Sequence, residues 1–282
     1  MLGAIIGDVI GSVYEWDNIK TKDFKLFKDG CKFTDDTVMT CAVAEAIMNG
    51  GTVADFRESM RKWGNRYLYA GYGSMFFEWL TSKTDESINS YGNGAAMRIS
   101  PCAEYMYKMC KSGNEEDYKR GIDIAKTSII VSHSHYEAIR GGMAIADAIV
   151  NVSKCRELGV ADEKIKRHIK HIIENEYHYD LTKSIDEIRP EYRFTASCQG
   201  SVPQAIRSFI DGVNFEDTIR NAISIGGDSD TIAAMAGSIA EVAWGIPNDI
   251  RGQVFKYLDT NIINCIKEWY TFIGTERLSI VG

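Results

Sequence analysis

The sequence predicts an all-α fold, and three observations carry that expectation. Apolar residues recur at helical spacing along almost the whole chain. No segment shows period-two alternation bounded by turn signals on both sides. Only four prolines interrupt 282 residues, while Ala, Ile, Met, Glu and Lys, most of them good helix formers, are plentiful.

The chain begins with MLGAIIGDVIGSVYEW, an apolar stretch that Asp8 interrupts and no basic segment precedes. A buried helix is expected there rather than a signal peptide. Gly3, Gly7 and Gly11 repeat every four residues, placing small residues on one helix face where a second backbone could approach closely. A Thr-Asp-Asp start at Thr34 leads into TVMTCAVAEAIMNG, with carboxylates in the first turn and Gly50 and Gly51 as the stop. Further helices are expected at 53–68, 74–82, 95–111, 115–131, 136–152 and 162–177, then at 203–211, 215–225, 231–244 and 248–270. Within 162–177, Ile165, Ile169, Ile172 and Ile173 form one stripe, so this is an amphipathic surface helix whose His168 and His171 face water. The irregular stretches 17–33, 83–94 and 178–202 are rich in charged, aromatic and turn residues, and loops of this size often border a binding site. With no low-complexity linker and no fixed-period repeat, a single domain over 1–282 is the simplest reading.

With 45% hydrophobic and 25% charged residues, the chain can bury a sizeable core. Its net charge of −7 argues against constitutive nucleic-acid binding, which needs a cationic surface to displace counterions. A compact anionic ligand remains open, because helix N-termini and backbone amides bind phosphate without net positive charge. The seven cysteines are scattered, odd in number and without a C-x-x-C pair. Neither a zinc site nor a disulfide framework is expected, and the cytoplasm is the expected compartment. No run approaches the roughly 20 apolar residues that span a bilayer. No heptad pattern or apolar surface helix stands out, so a monomer is expected.

Two acidic motifs lie at opposite ends of the chain: FTDDT, with Thr34, Asp35 and Asp36, and GGDSDT, with Asp228, Asp230 and Thr231. Each taken singly is explained as a helix start, since acids and hydroxyls there complement the helix dipole. Jointly they offer four carboxylates and two hydroxyls, which is what a hard-cation site needs. Four carboxylates converging in a cleft would repel one another unless cations neutralised them.

At this point the sequence resembles the ADP-ribosylglycohydrolase family, which includes the dinitrogenase reductase-activating glycohydrolases. The motifs GDVIGSVYE, FTDDTVM, GYGS, YGNGAAMR, SHSH, VPQAI and GGDSDTIAAMAG stand in family order over nearly the whole chain. The resemblance implies an all-α fold with a dinuclear centre of Mg²⁺ or Mn²⁺, held by Thr34, Asp35, Asp36, Asp228, Asp230 and Thr231. It places Glu15 as a mobile flap glutamate near the metals, so Glu15, Asp35 and Asp36 are the candidate general bases. Asp8 is more readily a helix-packing or supporting residue than a ligand.

The glycine turns GYGS, from Gly71, and SYGNG, containing Ser90, Tyr91, Gly92 and Asn93, expose backbone N–H groups to an anion. By the same resemblance Tyr91 stacks on an adenine ring, while Ser90 and Asn93 fix a diphosphate and the distal ribose. His133 lies near that ribose; His135 is less secure because family members differ there. Arg98 is expected to brace the glycine loop by pairing with a carboxylate. The acceptor half of a substrate would meet Trp16, Asp17, Tyr192 and Cys198.

The implied activity is metal-dependent hydrolysis of the bond between ADP-ribose and an acceptor, either on a mono-ADP-ribosylated protein or on a small ADP-ribose conjugate. The acceptor (arginine, serine, an acetyl ester or a nucleic-acid base) carries no signature in the sequence. Two alternatives stand beside it: a silent ADP-ribose-binding protein on the same fold, and a two-metal phosphohydrolase cutting the diphosphate.

Overall fold

The glycine stripe of the first helix determines how the centre is built. α1 (Leu2–Gly11) is buried along its whole length. It lies against the helix that follows the second acidic motif, Ser229–Trp244. A Cβ on Gly3 would fall 2.3 Å from the Gly237 carbonyl oxygen, and one on Gly7 would fall 2.1 Å from that of Ala233. One on Gly11 would meet the Asp230 Cα at 2.4 Å. The backbones therefore touch, as the four-residue glycine repeat predicts, and the end of α1 is drawn onto the second acidic motif.

The computed structural model describes residues 1–275. Among them the regular structure is helical, apart from two isolated β-bridges that join Ile88 to His133 and Gly92 to Ser197. After α1 come α2 (Asp35–Met48), α3 (Val53–Arg66), α4 (Ser74–Thr81) and α5 (Gly94–Met97). They are followed by α6 (Ser100–Cys110), α7 (Glu115–Ile130), α8 (Tyr136–Glu157), α9 (Asp162–Asn175) and α10 (Ile185–Ile188). The chain continues through α11 (Cys198–Asp211), α12 (Phe215–Ser224), α13 (Ser229–Trp244), α14 (Asn248–Val254) and α15 (Thr260–Ile273). One hydrophobic cluster runs from Met1 to Tyr270, with α1 and α13 at its middle and α2, α8, α11 and α12 packed around them. The amphipathic α9 buries Ile165, Ile169 and Ile173 and leaves His168 and His171 exposed. Among the described residues no helix is long and apolar enough to cross a membrane.

Expectation and structure differ at five places. The run 95–111 is two helices, because the chain bends at Arg98 and Ile99 before Pro101 opens α6. The helix expected from Pro203 begins earlier, at Cys198, with the proline inside it. The bond that Pro203 cannot donate would have gone to the carbonyl of Gln199, a residue exposed on the surface. The run 248–270 breaks at a 3₁₀ turn (Phe255–Tyr257), after which Asp259 caps α15 by accepting from Asn261 N (2.9 Å) and Ile262 N (3.0 Å). α8 continues five residues past 152, to Glu157, and the stretch 178–202 holds the short capped helix α10.

Candidate metal centre and active-site cavity

The end of α1 and the starts of α2 and α13 meet at one place, so the packing of α1 on α13 brings the two acidic motifs together. Asp8 fastens the junction. Its carboxylate accepts from Thr34 N (2.9 Å), Thr34 Oγ1 (2.7 Å) and Thr37 N (3.1 Å), and also from Thr37 Oγ1. Thr34 caps α2 through Asp36 N (3.3 Å), and Thr231 Oγ1 of α13 donates to Asp36 Oδ2 (3.2 Å), so the two helix starts are bonded side chain to side chain. Carboxylate oxygens of Asp8, Asp36 and Asp230 lie within 4.8 Å of one another, and so do those of Glu15, Asp228 and Asp230. Asp35 stands beside this group, facing the cavity next to Gly71.

Such crowding is electrostatically costly for bare acids. Burial, followed by the charges of Asp8 and Asp228, pushes the Asp35 carboxyl up to about 8. Burial and the neighbouring Asp228 push Glu15 up to about 7. Asp8 rises to about 6 through burial, against the pull of its four hydrogen bonds. Asp36 and Asp230 are driven well above the ordinary carboxylate range, again by burial first and by neighbouring acids second. The N-terminal dipoles of α2 and α13 favour negative charge here but amount to only about half a charge each.

These residues fit divalent cations. The donors are all oxygen, as hard ions require, and Asp36 Oδ1 is buried without a hydrogen-bond partner. A buried carboxylate oxygen left unpaired in a cluster of like charges is explained if a cation takes it. Thr34, Asp36, Asp228, Asp230 and Thr231 are all buried around this point, with Asp35 and Glu15 at its edge.

A cavity of about 440 Å³ opens above the acids. One wall is the turn Gly71–Ser74 leading into α4, and another is Ser90 and Gly92–Gly94 leading into α5. Met97, Arg98 and His133 line it deeper in, while Trp16, Phe194 and Ala196 lie toward the flap side. The glycine turn is held by Asn93 N donating to Ala196 O (2.8 Å) and Cys198 N donating to Tyr91 O (3.0 Å). Asn93 Nδ2 donates to Asp228 Oδ2 (2.7 Å) and Ser201 Oγ (3.2 Å), which ties the glycine turn to the acid cluster. Ser90 Oγ accepts from Gly92 N (3.1 Å). Tyr91 does not line the cavity; it is 55% exposed and packs edge-on against His135, with ring centroids 5.6 Å apart.

The expectations for Arg98, Tyr192 and Cys198 are corrected. Arg98 pairs with no carboxylate among the described residues; fully buried, it donates through Nη2 to Ser132 Oγ (2.5 Å) and covers the Phe76 ring. Tyr192 is turned inward under Gly227 and donates to Gly200 O (2.9 Å), and Cys198 is buried at the start of α11 with its thiol on Gly92 O. Neither lines the cavity, since the Tyr192 ring is tucked against Gly227 and Cys198 lies within the first turn of α11. Asp17 points to solvent and pairs with Lys28. Phe194, which sequence reasoning missed, stacks on Trp16 with centroids 5.3 Å apart. Standing between Arg193 and Thr195 in an irregular stretch, it gave no signal of this in the sequence.

The strap that carries Glu15 is anchored by Asn18. Asn18 Nδ2 donates to the carbonyls of Tyr14 (2.7 Å), Glu15 (2.8 Å) and Gly227 (3.1 Å), and its Oδ1 accepts from Gly227 N (2.7 Å). Lys20 Nζ adds donors to the carbonyls of Tyr192 and Ile225. The Glu15 strap and the turn before Asp228 are thus one bonded unit.

Comparison with known proteins gives a consistent result. The family model for ADP-ribosylglycohydrolase matches residues 1–272. The chain is 25% identical to ADP-ribosylhydrolase ARH3 of Danio rerio, over 87% of this chain and 82% of that one. It is 22% identical to ADP-ribosylarginine hydrolase Tri1 of Serratia proteamaculans, over 98% and 79% respectively. A solved structure described as an ADP-ribosylglycohydrolase-related protein complex shares the fold, with a TM-score of 0.69 at 20% identity over 96% of this chain and 95% of that one.

Proposed function

The chain belongs to the ADP-ribosylglycohydrolase family, and from that premise we propose that it cleaves the glycosidic bond between ADP-ribose and an acceptor, releasing free ADP-ribose. The observation that carries this reading is the meeting of two acidic helix starts at the floor of a cavity whose other walls are glycine turns. The substrate is a mono-ADP-ribosylated protein or a small ADP-ribose conjugate, handled by a monomer in the cytoplasm.

Thr34, Asp35, Asp36, Asp228, Asp230 and Thr231 would hold two divalent cations, Mg²⁺ or Mn²⁺, since all-oxygen donors suit hard ions. When bound, such cations supply Lewis acidity to a ribose diol and lower the cost of deprotonating water. The turns at Gly71 and at Ser90–Asn93 take the diphosphate and ribose, the glycines letting them approach the backbone closely. In the hydrolysis a water oxygen joins the anomeric carbon, the bond to the acceptor breaks, and the proton leaves with the acceptor. Glu15, at the rim and within 4.8 Å of Asp228 and Asp230 oxygens, accepts that proton and passes it on. Asp35 and Asp36 are its competitors for this role, and Trp16 and Phe194 flank the side from which the acceptor enters.

ADP-ribosylarginine is the first linkage to test, given the name of the Serratia relative. Serine, acetyl-ester and nucleoside linkages follow, each with Mn²⁺, Mg²⁺ or EDTA. Release of ADP-ribose from at least one linkage, abolished by EDTA, is the expected result. Release of AMP would instead place the cut at the diphosphate, and binding without release of any product would make the chain a binding protein.

A further inference from the structure

His133 is buried beside the cavity, and its backbone is fixed from both sides. His133 N donates to Ile129 O (2.8 Å), Ile88 N to Ser132 O (3.0 Å) and Ser134 N to Ile88 O (2.9 Å). Its ring packs against Phe76 at 5.8 Å between centroids, and the same Phe76 ring carries the Arg98 guanidinium at 5.0 Å. Ser132 Oγ lies between the two polar groups, 2.5 Å from Arg98 Nη2 and 2.8 Å from His133 Nδ1.

Donor and acceptor counting fixes the direction of this chain. A guanidinium has only donors, so Ser132 Oγ accepts from Arg98. The hydroxyl hydrogen then needs an acceptor, and among the described residues the one within reach is His133 Nδ1. If Nδ1 carried a proton, the hydroxyl hydrogen of the wholly buried Ser132 would be left unpaired, which is the costly arrangement. A doubly protonated ring would have the same fault and would add a second positive charge beside Arg98. Burial and that neighbouring charge both hold His133 well below its ordinary range, while Arg98, pushed down to about 10, keeps its charge. Nε2 is the remaining ring nitrogen, and it lies 3.3 Å from where a Cβ on Gly94 would be, at the glycine turn that lines the cavity.

We propose that Arg98 and Ser132 are positioning residues that lock His133 in its Nε2–H tautomer, so that it offers a fixed hydrogen-bond donor to an oxygen of the bound ligand beside the Gly94 turn. The complementary atom is an acceptor, a ribose hydroxyl or a phosphate oxygen. This second half rests on the function proposed above; the lock itself does not.

The test is a long-range ¹H–¹⁵N spectrum of the full chain, in which the His133 signals are identified by their loss in His133→Gln. Free protein is expected to show a protonated Nε2 and a bare Nδ1 that do not titrate across neutral pH. Addition of ADP-ribose should shift the Nε2–H resonance. Ser132→Ala should mix the tautomers and weaken ADP-ribose binding by about tenfold, and Ser132→Thr, which keeps the hydroxyl, should restore both. A protonated Nδ1 or an imidazolium in the wild-type spectrum overturns the lock, and this reading needs no variant to fold. An Nε2–H signal unmoved by bound ADP-ribose overturns the role assigned to it. Protein that shows the lock but binds no ADP-ribose overturns the proposed function and leaves the lock standing.

Discussion

The unpaired Oδ1 of Asp36 sits among other buried acids, so removing one charge there has opposite effects on stability and on turnover. In EDTA, Asp36→Asn relieves repulsion and should raise Tm by a few degrees, at about 2–4 °C per kcal/mol. With Mg²⁺ or Mn²⁺ present it should cut turnover by about a hundredfold or more. A variant that loses stability in EDTA would contradict the electrostatic account. The pH dependence follows with a definite sign. Asp8, Glu15 and Asp35 are raised to about 6, 7 and 8, so the folded metal-free protein binds more protons than the unfolded chain. The contribution of these three groups to stability in EDTA is therefore fully present below their unfolded values of about 4. It should fall as pH rises toward 8, a trend that divalent cations flatten; denaturant melts across pH would read it. The acids were legible in the sequence because each stands at a helix start whose Thr or Gly also marks it. The Arg98 partner was not, since Ser132 is 34 residues away and only the bend between α5 and α6 brings them together.

Among the helices, α1 was the most legible, because a glycine every fourth residue has no other economical use in a buried helix. Gly7→Ala should cost several kcal/mol, about 2–4, since its Cβ would overlap the Ala233 carbonyl and neither backbone can retreat. Gly252→Ala on α14 meets nothing within 4 Å and should be neutral or stabilising by up to about 1 kcal/mol. Chemical denaturation of the pair checks whether contact, rather than glycine itself, is decisive. The breaks in 95–111 and 248–270 were hidden because the residues that interrupt them also belong to the helical stripes. Asp259 reads as a surface acid until its two backbone donors reveal a cap. The strap residue Asn18 gave no signal either, since two of its four bonds are made with Gly227, 209 residues away. Asn18→Ala should lower kcat by about tenfold with little change in KM, because it loosens Glu15 while leaving the glycine turns in place. A rise in KM alone would point instead to a collapsed cavity.

For the molecule as a whole, cation binding and folding are linked through the same acids. At a hundred times its Kd a cation that binds only the folded state adds about 2.7 kcal/mol, which corresponds to a Tm rise on the order of 5 °C. A thermal melt with Mn²⁺ against EDTA should show that gap, and an unchanged Tm would mean the acids hold no metal. The all-α class and the single core were readable from periodicity, whereas the facing of Tyr192, Cys198 and Phe194 depends on how loops close over the finished core. The contact of α1 with α13 also sets the order of events at the ribosome. α1 is made before α13, and the surface that buries its glycine face lies more than two hundred residues downstream. During synthesis that glycine face stays uncovered, and neither acidic motif meets the other until α13 has emerged. Force profiling of stalled nascent chains should register its main pull at that length. The chain thus holds no assembled catalytic centre until α13 has been made.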